Sequence, residues 1–188
     1  MVVAAIEVNA LAKNFGVVQA LRGISLAVQP GEVVGFIGPN GAGKSTTMRI
    51  LVDIIRPTSG QVRVFGQDPQ VGGAGLRSRI GYLPGEPHLP GNLTVAKLLT
   101  HYARLACPAT QREPADWRPW AERLELDPSR RVGELSRGNK QKVALVQAFS
   151  HDPDLLILDE PTSGLDPLVQ QEFLRMVRDA QAAGQTVF

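Results

Sequence analysis

The chain has 188 residues with a formal net charge of +2, and 43% of its residues are hydrophobic. This length predicts one domain with a hydrophobic core, and so small a charge argues against nucleic acid or an anionic membrane surface as a partner. The single cysteine, Cys107, excludes an internal disulfide. No stretch approaches the roughly 18 apolar residues of a membrane-spanning helix, and the N-terminus lacks the basic region of a secretory signal. The composition therefore predicts a cytoplasmic protein, unless a partner holds it at a membrane.

Short apolar segments separated by turns fill the first 65 residues. Residues 6–8 and 23–28 are predicted strands, the second because apolar side chains alternate with small ones. The apolar run 32–37 leads directly into a glycine and predicts a short buried parallel strand. A helix over 44–54 and an alternating strand over 61–65 follow.

The block from about residue 87 to residue 150 has mainly helical patterning. Thr94 is the predicted N-cap of a helix whose apolar residues recur at i, i+3, i+4 and i+7. A second short helix is predicted around Trp117 and Trp120, and a third over Arg137–Phe149.

After this block the pattern returns to strand, helix and strand, over Leu155–Leu158, residues 168–182 and residues 186–188. This alternation predicts an α/β fold with a mostly parallel core. Right-handed crossovers would place the carboxyl ends of 32–37 and Leu155–Leu158 on one edge of the sheet. Ligands of open α/β sheets bind at that edge.

Residues 38–45 read Gly-Pro-Asn-Gly-Ala-Gly-Lys-Ser and fit the phosphate-loop pattern G-x-x-x-x-G-K-[ST] without a mismatch. Glycines let the backbone wrap closely around phosphate oxygens, and the following helix adds its positive N-terminal end. Lys44 would hold the β- and γ-phosphates, and the Ser45 hydroxyl would coordinate Mg²⁺. A glycine-rich turn without a ligand is disfavoured by the strand before it and the helix after it. The predicted nucleotide-binding residues of the loop are Gly38, Pro39, Asn40, Gly41, Ala42, Gly43, Lys44, Ser45 and Thr46.

Two acids follow the apolar strand Leu155–Leu158. Burying both unpaired would be costly, so the strand must deliver them to solvent, metal or ligand. Side chains alternate along a strand, so Asp159 can hold Mg²⁺, through water, while Glu160 polarises the attacking water as the catalytic residue. The alternative is an acidic strand end before a Pro161 turn.

Two further segments carry a family resemblance: Leu-Ser-Arg-Gly-Asn-Lys-Gln at 135–141 and Asp-Glu-Pro-Thr-Ser-Gly-Leu-Asp at 159–166. They resemble the LSGGQ signature and the Walker B end with its D-loop in ABC-family ATPases, in the family order. The resemblance implies one ABC-type ATP-binding domain over residues 1–188. Its P-loop NTPase fold would combine a RecA-like core (about 1–86 and 151–188) and an antiparallel β subdomain with an inserted helical signature subdomain (about 87–150).

The resemblance also implies a head-to-tail homodimer that sandwiches ATP between one phosphate loop and the partner's signature. Phe15 is similar to the aromatic residue that stacks on adenine, and Asp166 to the D-loop acid that senses the opposite site. From the residues alone, a capped amphipathic helix, a core phenylalanine and a turn aspartate remain the alternatives. The signature residues that would contact ATP in the partner are Ser136, Arg137, Gly138 and Asn139.

Three departures from the family pattern stand out. Arg137 adds a charge inside the signature. Gly85 stands where the family has the Q-loop glutamine, whose role is lost, shifted or partly taken by Glu86; the alternative for Glu86 is a surface acid on a flexible loop. The chain stops at Phe188, before the family's switch histidine, which suggests a truncated reading frame. The three histidines present, His88, His101 and His151, are expected on the surface or in loops.

The expected function is therefore ATP binding and hydrolysis, with ATP and Mg²⁺, by a subunit that energises a separate membrane permease. The variant motifs resemble those of drug or antibiotic exporters, and the subunit would sit peripherally on the inner face of the cell membrane through its permease. One alternative is a soluble ABC-type ATPase acting on ribosomes or DNA. It would need basic patches, a second cassette or a long coiled coil, which the sequence lacks. The other is a non-catalytic or truncated nucleotide-binding module, which ATP turnover would distinguish.

Overall fold

The computed structural model describes residues 3–107 and 113–188, which form an α/β fold of two three-stranded sheets with helices around them. The strands are β1 (Ile6–Phe15), β2 (Val18–Val28), β3 (Ser59–Val64), β4 (Ile80–Leu83), β5 (Leu155–Leu158) and β6 (Thr186–Val187). The helices are α1 (Lys44–Leu51), α2 (Pro69–Arg77), α3 (Val95–Ala106), α4 (Arg118–Arg123), α5 (Arg137–Phe149) and α6 (Pro167–Ala182), with a 3₁₀ turn at Val132–Glu134.

The first sheet is antiparallel, in the order β2-β1-β3. Its strands are longer than the sequence predicted, because pairing continues from Ile6↔Val28 to Phe15↔Val18 through polar residues. Register shifts interrupt this ladder, and Ala10 has a φ of 47° within the irregular stretch. Such bulges break the period of two, and a broken period hides a strand from pattern analysis.

The second sheet is parallel, in the order β4-β5-β6. The predicted strand at 32–37 is wrong as a buried strand: only Val33 forms a parallel bridge, to Val187 of β6, and Ile37 is 94% exposed. Two hydrogen bonds accompany this bridge, from Val34 N to Val187 O and from Val187 N to Glu32 O. The segment still runs parallel to β6, and β6 runs parallel to β5.

The four residues of β5 are fully or almost fully buried, and they divide between two hydrophobic clusters. Leu156 and Leu158 pack with the helices α3, α5 and α6, whereas Leu155 and Ile157 pack with the antiparallel sheet and α1. The alternation of side chains across one strand therefore joins the helical part of the chain to the strand-rich part.

The helices match most of the sequence-based predictions. Thr94 caps α3, since its hydroxyl accepts from Lys97 N at 3.4 Å. The bounds of α5 and β5 agree with prediction. The sequence analysis missed α2 and β4. Three of the nine residues of α2 are glycines, and Gly73 has a non-helical φ of 58°, so this segment has weak helical propensity. No helix in the described residues is long and apolar enough to span a membrane.

Candidate functional site

The phosphate loop turns sharply just before α1. Gly43 adopts a left-handed conformation at φ 90° and stands at the N-cap of α1, where it offers no side chain to the helix. The amide N–H groups of the first turn are therefore available to an external ligand, and no acidic residue in that turn offsets the positive end of the helix. Lys44 folds back over the loop, and its Nζ donates to Gly38 O at 2.6 Å and Pro39 O at 3.1 Å.

Two glycines of the loop face different surroundings. A Cβ on Gly43 would lie 2.3 Å from Leu21 Cδ2 and 2.7 Å from Ala20 O, so β2 packs directly against the loop backbone. A Cβ on Gly41, whose φ is also positive at 82°, would meet nothing within 4 Å. The loop is thus pressed on the antiparallel sheet on one side and open on the other, where a polyphosphate has room.

Asp159 and Glu160 leave β5 in different environments. Asp159 is only 3% exposed, and its N–H donates to Leu83 O at 2.9 Å. Glu160 is exposed and has a φ of 48°, a conformation that a residue with a side chain rarely adopts. Strained backbone of this kind clusters at functional sites. The two acids therefore lie in different environments, one buried and one exposed.

Tyr82 of β4 connects the acidic strand end with α1. It pairs with Ile157, two residues before Asp159, and the pKa of its hydroxyl is influenced by Arg49, which lies one helical turn after Ser45. Burial, and secondarily the charge of Asp159, raises the pKa of the Tyr82 hydroxyl, while Arg49 partly offsets the rise. Sequence analysis identified neither residue, since tyrosine and arginine in ordinary elements carry no local signal.

The segment that leads into the phosphate loop and the strand that leads into Asp159 run in the same direction. The segment leading into the loop bridges β6 in parallel through Val33, and β5 pairs with β6 in parallel as well. The carboxyl ends of both segments therefore point the same way, as the sequence predicted. Crevices beyond the carboxyl ends of parallel strands are where α/β proteins bind ligands.

The signature segment forms the start of α5 and packs on the turn after β5. Ser136 is the N-cap, and its Oγ accepts from Asn139 N at 3.3 Å. A Cβ on Gly138 would lie 2.8 Å from Gly164 O, so only glycine allows this approach. Arg137 donates to Ser163 Oγ at 3.4 Å. Within one chain the signature and the D-loop are therefore in direct contact.

Two predicted contact residues have local partners in the chain. Asp166 is the N-cap of α6, and its Oδ1 accepts from Leu168 N and Val169 N, both at 3.1 Å. Phe15 is 50% exposed at the end of β1, with the Lys13 ammonium 4.9 Å from its ring centroid. An exposed aromatic ring is free to stack on a base, whereas a core phenylalanine would not be.

The segment in place of the Q-loop, Gly85 and Glu86, follows β4 in the chain. In space it lies near the end of β5 and the start of α5. A Cβ on Gly85 would approach Asp159 Oδ2 to 3.3 Å, so this glycine packs directly against the buried acid. Glu86 is exposed and lines a cleft of about 360 Å³ that Arg137 and Lys140 of α5 also line. The acid of this loop thus faces the start of the signature helix.

The three histidines lie apart from the phosphate loop along the chain. His88 and His101 are exposed, as expected. His151 is in a turn but is half-buried, and its Nε2 lies 3.2 Å from Ile80 O. Burial lowers the pKa of the His151 imidazole, and the hydrogen bonds to Ile80 and Gln147 carbonyls oppose that shift. His151 therefore meets the expectation of a surface or loop position as a turn residue, although this turn packs against β4 and half-buries the ring.

The donor set near the loop suits a hard cation held largely by phosphate. In residues 3–107 and 113–188, no group of three or more His, Cys, Asp or Glu side chains could hold a metal ion. Ser45 at the start of α1 and Asp159 after β5 offer one hydroxyl oxygen and one carboxylate as candidate ligands. Mg²⁺ prefers one or two protein oxygens, with phosphates and waters completing its shell.

These features define a P-loop nucleotide-binding domain: a strand edge, a glycine-rich loop, the N-terminus of α1 and a pair of acids. A sequence model described as "ABC transporter" matches residues 21–163. The chain therefore belongs to the ABC transporter family, with the ATP-binding domain of that family.

Curated relatives agree. The chain is 39% identical over 184 residues to the "probable multidrug ABC transporter ATP-binding protein YbhF" of Escherichia coli K12, covering 97% of this chain and 32% of that protein. It is 38% identical over 186 residues to the "Nod factor export ATP-binding protein I" of Paraburkholderia xenovorans LB400, covering 98% and 61%. The chain thus spans between a third and three fifths of the length of these relatives.

Solved structures have the same fold. A structure described as the "ATP binding subunit of ABC transporter" is 31% identical, with a TM-score of 0.85, and the match covers 97% of this chain and 78% of that one. The dimeric bacterial ABC transporter cassette MJ0796 gives a TM-score of 0.87 at 22% identity, covering 97% and 86%. The second likeness shows the fold alone.

Proposed function

We propose that this chain binds and hydrolyses ATP with Mg²⁺ and is the ATP-binding part of an exporter whose permease is a separate polypeptide. The observation that carries the proposal is that the segment leading into the phosphate loop and the strand leading into Asp159 run parallel to β6, with Glu160 next in the chain. The relatives named for multidrug transport and Nod factor export support the assignment to export.

Binding rests on the loop and on Lys44. The first-turn amides of α1 and the Lys44 ammonium would hold the phosphates, replacing the loop carbonyls that Lys44 contacts now. Mg²⁺ would be held by Ser45 and Asp159, where it neutralises charge that develops on the phosphates. Phe15 would stack on adenine at the exposed end of β1.

Hydrolysis needs a group that orients and polarises the attacking water. Glu160 suits this role because it is exposed and follows a buried acid, so its carboxylate is available beside the metal-holding residue. Asp159 is buried against β4 and the Gly85 backbone, which fixes it as a holder rather than a mobile base. Positioning and charge stabilisation supply most of the catalysis of phosphoryl transfer.

Turnover by this mechanism would require two copies. Ser136, Arg137, Gly138 and Asn139 lie at the start of α5, and a helix N-terminus binds a phosphate well. In a head-to-tail homodimer these residues would meet the nucleotide on the partner, and Asp166 would lie at the junction. We assign the RecA-like core to about residues 1–86 and 151–188 and the helical signature subdomain to about 87–150.

The test is the variant Glu160→Gln, which keeps size and removes the charge. We expect ATP affinity to be retained and kcat to fall by about 10²-fold or more, the usual scale for loss of a general base. Nucleotide binding is measured by isothermal titration calorimetry and turnover by phosphate release.

The matched control for this experiment is Glu125→Gln. Glu125 is also exposed and also has a positive φ, of 50°, but it lies in the helical block. Normal turnover in the Glu160 variant would remove Glu160 as the water-positioning group. A wild-type chain that binds ATP without turnover would favour the non-catalytic module instead.

A further inference from the structure

Gln141 of α5 is a buried polar side chain outside the nucleotide-contact residues assigned above. It is only 2% exposed, and its amide Nε2 lies 3.5 Å from Glu160 O and 3.4 Å from Pro161 O. A buried amide in an apolar cluster is costly unless it is hydrogen-bonded. Both carbonyls that satisfy it belong to the two peptide units that follow the proposed catalytic acid.

The backbone that Gln141 contacts is a tight turn, residues 160–164, which we call the post-β5 turn. It begins with the left-handed φ of 48° at Glu160. Within the turn, Ser163 N donates to Glu160 O at 3.0 Å. Leu165, the next residue after the turn, donates its N–H to Thr162 O at 3.2 Å. A non-glycine residue holds such a conformation only where the surroundings over-determine it.

Helix α5 supplies those surroundings at three points. Besides Gln141, Arg137 donates to Ser163 Oγ, and the Gly138 backbone approaches Gly164 O too closely for a Cβ. Residues 137, 138 and 141 recur at helical spacing, so they share one face of α5. The helix and the post-β5 turn are therefore fixed against each other along the whole turn.

We propose that Gln141 is a positioning residue for Glu160: by binding the carbonyls of residues 160 and 161, it holds the peptide that aims the Glu160 carboxylate. This rests on the proposed function. Because α5 also begins with the signature residues, the same helix that would meet the partner's nucleotide sets the geometry of the acid in its own chain.

The test compares two buried glutamines, one that contacts the chain where it leaves β5 and one that contacts it before β5 begins. Gln141→Met keeps the length and removes the donor. Gln185→Met is the control, because Gln185 is 8% exposed and donates to Asp152 Oδ1 at 2.9 Å and Pro153 O at 2.7 Å, where the chain enters β5 rather than leaves it. We expect Gln141→Met to lower kcat about 10-fold or more with ATP affinity within about 2-fold, since misplaced catalytic groups lose rate by up to about 10².

Two readouts separate positioning from lost stability. In a double variant with Glu160→Gln, Gln141→Met should cause no further loss of kcat, because residues that act as a unit are non-additive. Amide hydrogen exchange at Ser163 and Leu165 should speed up in Gln141→Met and stay unchanged in Gln185→Met. Additive losses of rate, or equal loss of rate in both single variants, would overturn the proposal.

The exchange experiment also works without turnover. If the wild-type chain does not hydrolyse ATP, the proposed function fails, but the exchange rates of the post-β5 turn still decide whether Gln141 holds it. Unchanged exchange at Ser163 and Leu165 in Gln141→Met overturns the inference whatever the activity.

Discussion

The Lys44 ammonium donates to two loop carbonyls, Gly38 O and Pro39 O. A phosphate oxygen carries formal negative charge, so it attracts the Lys44 ammonium more strongly than an uncharged carbonyl oxygen does. Lys44 therefore lies within the loop, where its ammonium group can exchange these two carbonyls for phosphate oxygens of a bound nucleotide. Its position directly after the N-cap of α1 gives the charge and the helix end a common target.

The variant Lys44→Ala should weaken ATP binding by about 10- to 150-fold, the equivalent of losing one charged hydrogen bond of about 1.5–3 kcal/mol. Titration calorimetry with ATP and Mg²⁺ measures the change. The exposed Lys97 of α3 provides the control Lys97→Ala, which should bind ATP as the wild type does. Equal affinity of the Lys44 variant and wild type would remove the phosphate-loop argument.

Residue-scale prediction from sequence worked where the chemistry is local. Thr94 caps α3 because a hydroxyl reaches the N–H three residues on, and that needs only the neighbouring backbone. Tyr82, Arg49 and Gln141 were missed because their partners are distant in the chain. No pattern along the sequence shows that the Gln141 amide meets the carbonyls after β5.

At the scale of elements, the phosphate loop is held by contact with β2. Gly43 and Gly41 both have positive φ, of 90° and 82°, but only a Cβ on Gly43 would collide, with Leu21 and the Ala20 carbonyl. Gly41 is therefore needed only for its positive φ. Gly43 is needed for its positive φ and also because a Cβ there would collide with β2.

Gly41→Ala should cost about 1–2 kcal/mol of unfolding free energy, the strain of a left-handed alanine. Gly43→Ala should cost clearly more, because β2 or α1 must also move, and it should weaken ATP binding. Urea unfolding of both variants measures the difference. Equal costs would mean that the loop does not pack on β2 as described.

Strand prediction failed where pairing rather than composition decides. The apolar run 32–37 has the composition of a buried strand, yet of this run only Val33 is bridged, to Val187. β4, which the sequence did not reveal, is a strand because β5 offers four consecutive partners from Ile80↔Leu155 to Leu83↔Leu158.

At the scale of the whole molecule, the helical part and the strand-rich part share β5 and the turn at His151. The imidazole reaches across to Ile80 O of β4, and its pKa is lowered mainly by burial, with Asp152 among the groups that oppose the shift. A lowered pKa in the folded state means that protonation favours unfolding.

The contribution of neutral His151 to the unfolding free energy should therefore be complete above the unfolded histidine pKa of about 6.5. It should be lost progressively as the pH drops below that value. His151→Gln should flatten this dependence between about pH 7.5 and 5.5, whereas His101→Gln, at an exposed site, should leave it as in wild type. Urea titrations at both pH values test this. A His151 variant as acid-sensitive as wild type would contradict the assignment.

Sequence patterns alone were enough to predict the α/β class, the phosphate loop, the order of the motifs, the bounds of α5 and β5, and the family. These follow from spacing, periodicity and local capping, which act over a few neighbouring residues. Three features depend on tertiary packing: Val33 is the one bridged residue of 32–37, Gly85 packs on Asp159, and α5 contacts the turn that bears Glu160. Those contacts join segments far apart in the chain, and close packing between them depends on how the whole chain is arranged.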